Sequence, residues 1–482
     1  MTVFRLLRAL IIPAGLLTLS ACTAVGPDYV LPEESVFRQE GAASEFVSAS
    51  EPVYVTDDLP QDWWRLYDQE ALNELVGMAL EANTDLRVAS ANLLRAQAIQ
   101  AEARSLTAPI SGVGADVTFG RDATPHGTPR QTDSWTYGAG FSVSYQIDMF
   151  GRIARVIEAA TADMEAMQAA LDLMRITVVA DTTRAWLDIC STGHQIDVAT
   201  RSVSLQESVV TTTVRLYRGG RATQLDVSRA RAQLEQLKAA VPPLIAQQRT
   251  AIHQLAVLTG NLPTALPERS IQCHSIPQLS RPIPVGDGAG LLSRRPDIRQ
   301  AERALAGATA RIGVATADLY PSISLGLNIG QSGTLANFGS ANAFQWGIGP
   351  LISWVLPVTG PARARIAQAE AAAQAALADF DGVVLNALRE TESALVLYAR
   401  ELDRNMALRE ARDQSALASS QAHRLYSFGR SDFLTTLDAD RTLAEFESRL
   451  AESEAQLARY QVSLFLALGG GWGAAGTAEI PR

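Results

Sequence analysis

The chain is written twice. Leu216-Tyr217-Arg218-Gly219-Gly220-Arg221 returns 209 residues later as Leu425-Tyr426-Ser427-Phe428-Gly429-Arg430, and the same interval relates Gly151 to Gly360, Tyr145 to Trp354 and Gly260 to Gly469. Upstream, Asn83-Thr84-Asp85-Leu86-Arg87 matches Arg295-Pro296-Asp297-Ile298-Arg299, and Ala108-Pro109 matches Tyr320-Pro321, at an interval of 212. Chance likeness between alanine-rich helices does not keep glycines and a proline in one order, so the duplication is real. The interval shortens between Pro109 and Tyr145, which places a hairpin loop there, where a small length difference is tolerated.

Each copy reads helix, strand, strand, long helix, helix. The first helix is expected from Asp68 to Thr107, and its counterpart from Leu291 to Leu319, each stopped by a proline. In the strands Val113, Ala115, Val117 and Phe119 alternate with Gly114, Asp116 and Thr118. Tyr137, Ala139, Phe141, Val143, Tyr145 and Ile147 alternate with glycine, serine and glutamine, as do Ile323, Leu325, Leu327 and Ile329 with serine, glycine and asparagine. A fourth strand near Trp346 to Leu356 is less regular, because Pro350 is expected to interrupt it. Strands of about 10 residues with one apolar and one small polar face fit a barrel that meets lipid outside and water inside. A half-buried soluble sheet has the same period. The strands alone do not decide between the two; but four strands cannot close a barrel of about eight or more, and a membrane sheet cannot leave its edges in lipid, so if these segments span a membrane several chains must share one barrel.

From Gly151 to Arg218 there is no proline and little glycine, which predicts one helix, roughly 100 Å long at 1.5 Å per residue. The helix after it carries a seam at Leu234, Leu237, Val241, Leu244, Gln248, Ala251, Leu255 and Leu258. Its copy keeps the register at Leu443, Phe446, Leu450, Ser453, Leu457, Tyr460, Leu464 and Ala467. Val384, Leu388, Thr391, Leu395, Tyr398 and Leu402 alternate in the same way, the spacing of helices packed side by side. Pro242-Pro243 lies inside the first seam and is expected to kink or break that helix.

Arg5 and Arg8 followed by the apolar run Ala9 to Leu19 form an export signal, and Leu19-Ser20-Ala21-Cys22 reads as a lipobox. Cys22 is then the acylated first residue of the mature chain, and Thr23, where an aspartate would mark inner-membrane retention, favours the outer membrane. An ordinary secretory signal with an unrelated cysteine is the alternative. Cys190 and Cys273 show neither metal-ligand nor redox spacing; two separate buried thiols are expected, with a periplasmic bridge as the alternative. A net charge of -10 argues against a nucleic-acid partner. Past the signal no apolar run approaches the roughly 20 residues of a spanning helix. The histidines His126, His194, His253, His274 and His423 are not placed with carboxylates at ligand spacing, and no phosphate loop or nucleophile elbow is present, so neither a metal site nor an enzyme is expected.

The resulting segments are a signal peptide at 1–21, a lipidated leader at 22–67, and a first repeat at 68–260 with hairpins at 110–147 and 151–260. A linker at 261–288, a second repeat at 289–468 with hairpins at 322–357 and 360–468, and a tail at 469–482 complete the chain.

Several of these motifs resemble one family, the TolC-like outer-membrane efflux channels, and within it the lipoprotein branch serving resistance-nodulation-division pumps. The likeness rests on Cys22 followed by Val25-Gly26-Pro27-Asp28-Tyr29, on Trp63-Trp64-Arg65-Leu66-Tyr67-Asp68, on Arg294-Arg295-Pro296-Asp297-Ile298-Arg299-Gln300-Ala301-Glu302, and on Leu319-Tyr320-Pro321-Ser322. It implies a mainly α fold with a transmembrane β part, a homotrimer whose twelve strands close one barrel above a twelve-helix barrel, and no cofactor beyond the lipid on Cys22. It implies docking to a periplasmic adaptor and through it to an inner-membrane pump, so that drugs or other small molecules pass out passively. Gly220, Arg221, Gly429 and Arg430 match the tip turns where such channels meet the adaptor. Leu434 and Asp438 match an apolar constriction and an acidic ring, and Arg229, where the first copy departs from that pattern, is a candidate tether for Asp438. Rival readings are a lipid-anchored coiled-coil tether of the envelope, or an outlet for protein secretion or metal export.

Overall fold

The computed structural model describes residues 24–57, 59–121, 133–263, 271–279, 282–356 and 360–470. Cys22 and the segment read as an export signal lie outside these residues. The elements in chain order are β1 (Tyr54–Val55), α1 (Glu70–Ala82), α2 (Thr84–Ser105), β2 (Ile110–Gly120), β3 (Ser134–Ile147), α3 (Arg152–Arg218) and α4 (Gln224–Leu258). They continue with β4 (Ile283–Pro284), α5 (Gly288–Arg294), α6 (Pro296–Ala317), β5 (Ser322–Thr334), β6 (Phe344–Ser353), α7 (Pro361–Ser427) and α8 (Phe433–Ala467). The duplication is visible in the lengths: α3 and α7 are 67 residues each, and α4 and α8 are 35 each.

The chain divides into two compact units. One comprises residues 1–32, 93–167 and 300–380; the other comprises 33–92, 168–299 and 381–482. The first holds an antiparallel sheet in the order β2-β3-β5-β6. Its N-terminal segment is nailed down by Arg155, whose guanidinium donates to the carbonyls of Val25 (3.1 Å) and Gly26 (3.2 Å) and to Asp28 (2.7 Å). Gly26, at φ +90°, lies so close to α6 that a Cβ would stand 2.4 Å from the Gly313 Cα, so backbone passes directly over backbone here. Burial works against the charge of Arg155, and its hydrogen bonds to Glu158 and Asp28 outweigh that and hold its pKa above the ordinary value.

The second unit is built on an apolar core of Trp63, Tyr67, Leu72, Leu75, Trp186, Leu187, Ile189, Leu255, Leu291, Leu395 and Phe465. Trp63 stacks on Phe465 with centroids 4.6 Å apart. The leader and the linker meet as a parallel pair, Tyr54↔Ile283 and Val55↔Pro284, and the Tyr54 hydroxyl donates to the Leu395 carbonyl at 2.6 Å.

Several expectations need correction. The first helix of each copy is two helices, broken at Asn83 and at Arg295. Asn83 takes an extended conformation, and its Oδ1 accepts from the amides of Asp85 and Leu86, capping α2. Arg295 precedes Pro296, which bars it from helix and opens α6 as its first residue. The two breaks do the same job. Asn83 Nδ2 donates to the carbonyl of Leu258 (2.9 Å), and Arg295 Nη1 to that of Ala467 (2.8 Å), the last residues of α4 and α8. Gly260 and Gly469, both at positive φ, end those helices against the same breaks.

Of the two outcomes expected at Pro242-Pro243, a break does not occur: α4 runs through both. They sit on its exposed side, while every seam residue from Leu234 to Leu258 is buried or half-buried, so the packed seam is kept clear of both rings. The seam in α8 is likewise buried or half-buried throughout. Pro350 does not interrupt β6, which keeps its antiparallel register with β5 through Leu325↔Pro350. Cys190 and Cys273 are not separate thiols but form a disulfide with Cα atoms 4.6 Å apart.

Candidate channel wall and helix tips

Register decides what each face of the four-stranded sheet presents. Val113, Phe141, Ile329 and Trp346 lie in one row, with Ser111, Val143, Leu327 and Ile348 beside it, and Ile147, Ile323 and Ile352 nearer one end. The opposite face carries Gly112, Ser142, Asn328 and Gly347 in one row and Gly114, Gly140, Gly330 and Gln345 in the next. Apolar side chains on the first face are bare within the chain: Val113 is 84% exposed and Trp346 67%. A soluble sheet buries its apolar face; this one leaves it open, as a wall against lipid does. Asp116 is the one carboxylate in the four strands, and it stands on the glycine-rich face beside Gly138.

Aromatic rings gather at both ends of the strands. Phe119 lies 5.1 Å from Trp135, and Tyr137 4.9 Å from Phe338. At the other end Phe150 stacks on Tyr320 at 4.6 Å, and Trp354 donates its indole N–H to the Leu319 carbonyl. Two such belts are the mark of a barrel wall that meets two water interfaces. Within the chain β2 and β6 each pair on one side only. Among the described residues no helix is long and apolar enough to cross a membrane.

The helix tips are built alike in both copies. Gly220 (φ +72°) and Gly429 (φ +70°) turn the chain, the amides of Arg221 and Arg430 donating back to the carbonyls of Leu216 and Leu425. The helices that follow use one capping device with the residue types exchanged. Thr223 caps α4 with Asp226 three residues on, whereas Asp432 caps α8 with Thr435. Hydrogen bonds from the Thr435 hydroxyl and amide hold the Asp432 carboxyl below its ordinary pKa.

Leu434 and Asp438 lie one turn apart on α8, both exposed. Arg229 is exposed as well, and within the chain no ion pair joins it to Asp438 among the described residues. Behind the second tip, His423 and Ser419 of α7 both bond Asp440 of α8, at 2.9 and 2.7 Å. Among the described residues no cluster of histidine, cysteine and carboxylates is arranged to hold a metal.

Sequence reasoning missed the exchanged caps, though T-x-x-D and D-x-x-T at the start of α4 and α8 were in plain view. It also missed Arg155, whose partners Asp28 and Val25 sit far away in the chain.

Comparison with known proteins agrees with this geometry. The sequence pattern of the outer membrane efflux protein family matches residues 75–261 and 290–470, one segment in each copy. Nodulation protein T of Rhizobium leguminosarum bv. trifolii is 28% identical over 471 residues, covering 95% of this chain and 96% of that protein. Outer membrane protein OprJ of Pseudomonas aeruginosa is 30% identical over 465 residues, covering 95% and 94%. The solved outer-membrane channel OprN superposes with a TM-score of 0.87 at 34% identity, over 93% of this chain and 99% of that one. A bare apolar sheet face, aromatic belts, duplicated long helices and a family match across both copies lead to one conclusion: the chain belongs to the outer membrane efflux protein family and is an outer-membrane exit channel of an efflux system.

Proposed function

We propose that three copies of the chain pool their sheets into one twelve-strand barrel, continued in the periplasm by twelve helices, and that this trimer is the passive outlet of a tripartite pump. The observation that carries the reading is the sheet itself: four strands, one face bare and apolar, both edge strands paired on one side only. In hydrocarbon each unpaired backbone group costs several kcal/mol, roughly, so the edges must be closed. Identical neighbours pairing β6 to β2 close them, and twelve strands fall within the range of roughly 8 to 26 usual for such barrels.

Cys22 carries the lipid anchor in this reading. The tip turns at Gly220, Arg221, Gly429 and Arg430 dock a periplasmic adaptor, and the adaptor joins the channel to an inner-membrane pump of the resistance-nodulation-division type. Leu434 and Asp438 form the resting constriction. Three exposed Asp438 carboxylates around one axis repel one another and draw cations, and Arg229 of a neighbouring copy is their counter-charge. Support comes from the exposure of all three side chains and the absence of a partner for Arg229 within the chain, among the described residues.

The test is current through a planar bilayer. Purified protein is expected to insert with discrete conductance steps, and Asp438→Ala to raise both the conductance and antibiotic influx. A protein that passes no current is a tether rather than a channel, and an Asp438→Ala channel identical to the parent removes the gate assignment alone.

A further inference from the structure

The connector between the two halves is held along one helix face. Cys190 on α3 is fully buried, in the same apolar core as Trp186, Leu187 and Ile189. One turn later, a Cβ on Gly193 would stand 2.3 Å from the carbonyl oxygen of Cys273, so the connector backbone rests directly on the helix there. One further turn on, Asp197 Oδ2 meets His274 Nδ1 at 3.2 Å. Positions 190, 193 and 197 lie on one side of an α-helix, and beyond them Ile276 and Leu279 pack against the core. Gly193 serves no turn; it sits inside a 67-residue helix, where glycine is disfavoured against alanine. Its place is explained by what lies on it.

We propose that the Cys190–Cys273 bond closes after export and only once the connector is seated on α3, and that it is the clasp holding residues 271–279 there. The chemistry is a thiol–disulfide exchange with an exported thiol oxidant in its disulfide form, R–S–S–R. Cys273 is half-buried and Cys190 fully buried, so the Cys273 thiolate attacks first, forming a mixed disulfide and releasing one R–SH. Docking over Gly193 then brings the Cys190 thiolate onto the Cys273 sulfur, which releases the second R–SH. Two cysteine thiols lose two electrons, R–S–S–R gains them, and both protons end on the two R–SH groups. The compartment agrees, since such bonds form and persist outside the cytosol.

The order has a consequence: the second half of the exchange needs the connector already seated, so the bond records correct docking of the link between the repeats. Reduced protein keeps the fold of its helices and loses the fastening of 271–279.

Thiol trapping tests the site on the full-length protein purified without reductant. After denaturation in N-ethylmaleimide, the peptides holding Cys190 and Cys273 are expected to be unmodified, and each to gain one adduct only after reduction. Adducts at both without reduction overturn the proposal. The clasp is tested on folded wild-type protein, reduced with a phosphine and exposed to protease. Cleavage within 271–279 is expected to accelerate about tenfold, as local opening does when a tether is cut; an unchanged rate, with the bond shown to be broken, overturns the fastening role. Gly193→Ala, which obstructs docking while keeping both thiols, is expected to retain free thiol at Cys190. Complete oxidation of that variant would contradict the docked order of events.

Discussion

Replacing Arg295 with alanine is the substitution whose cost can be worked most closely. The guanidinium donates to Asp297 Oδ1 (3.0 Å) and Oδ2 (2.6 Å), to Glu390 (3.0 Å) and to the carbonyl of Ala467 (2.8 Å), so one side chain joins the helix break, α7 and the end of α8. Burial disfavours its charge, and the hydrogen bonds and charges of Asp297 and Glu390 outweigh burial and hold its pKa above the ordinary value. It therefore stays ionised at every working pH. Removing one member of a buried pair costs about 3–5 kcal/mol. Glu390 is 45% exposed and Asp297 24%, so water recovers part of that loss and about 2–3 kcal/mol remains. For a unit of about 300 residues, unfolding with about 2.1 cal/mol/K per residue, the thermal midpoint should fall by about 3–5 °C. Arg295→Lys keeps a charge but not the planar fork and should recover less than half of the loss. Asn83→Ala, the same position in the other copy, loses a neutral cap and should cost only about 1 kcal/mol. Scanning fluorimetry of the detergent-solubilised protein measures all three. An Arg295→Ala midpoint within about 2 °C of wild type would refute the reasoning, because a structural guanidinium of this kind has no silent replacement.

Other substitutions probe separate parts of the account. Arg155→Ala should release residues 24–28, read as faster amide exchange in that segment with the strands unchanged; equal protection would show that Gly26 and Gly313 hold the segment alone. Gly429→Val forces a branched side chain into positive φ and should cost about 1–2 kcal/mol, read as protease sensitivity at the second tip. Hydrogen bonding and charge from His194, with Arg409, outweigh burial and lower the Glu454 pKa. A carboxyl depressed in the folded state contributes stability above its unfolded pKa and loses it as pH falls through the folded one. Acid titration below about pH 4.5 should therefore destabilise wild type more steeply than Glu454→Gln, and parallel curves would discount the pair.

What was legible in the sequence follows from what each feature depends on. The 209-residue interval, a property of the chain alone, carries straight into α3 and α7 and into α4 and α8 of equal length. Alternation in the strands was readable because period two needs only neighbours, and Val113, Phe141, Ile329 and Trp346 do share a row. The breaks at Asn83 and Arg295 were signalled locally by an asparagine before a helical start and by Pro296, but continuous helical periodicity on either side masked them. Pro242-Pro243 show the limit of a rule applied without a surface: proline is costly where its missing bond is buried, and these sit on an exposed helix side. The disulfide was misjudged because its members are 83 residues apart, and only the path of the connector brings them together. Arg155 and Asp28, 127 apart, meet for the same kind of reason. The gate proposed for Leu434, Asp438 and Arg229 rests on neighbours in other copies, which one sequence cannot place.

The most direct test of the whole account is the mass of the detergent-purified particle, measured by native mass spectrometry after the detergent is stripped. Three times the mass of one chain is the predicted value, since the proposed barrel takes four of its twelve strands from each copy. A stable single-chain particle that still conducts across a bilayer would contradict it.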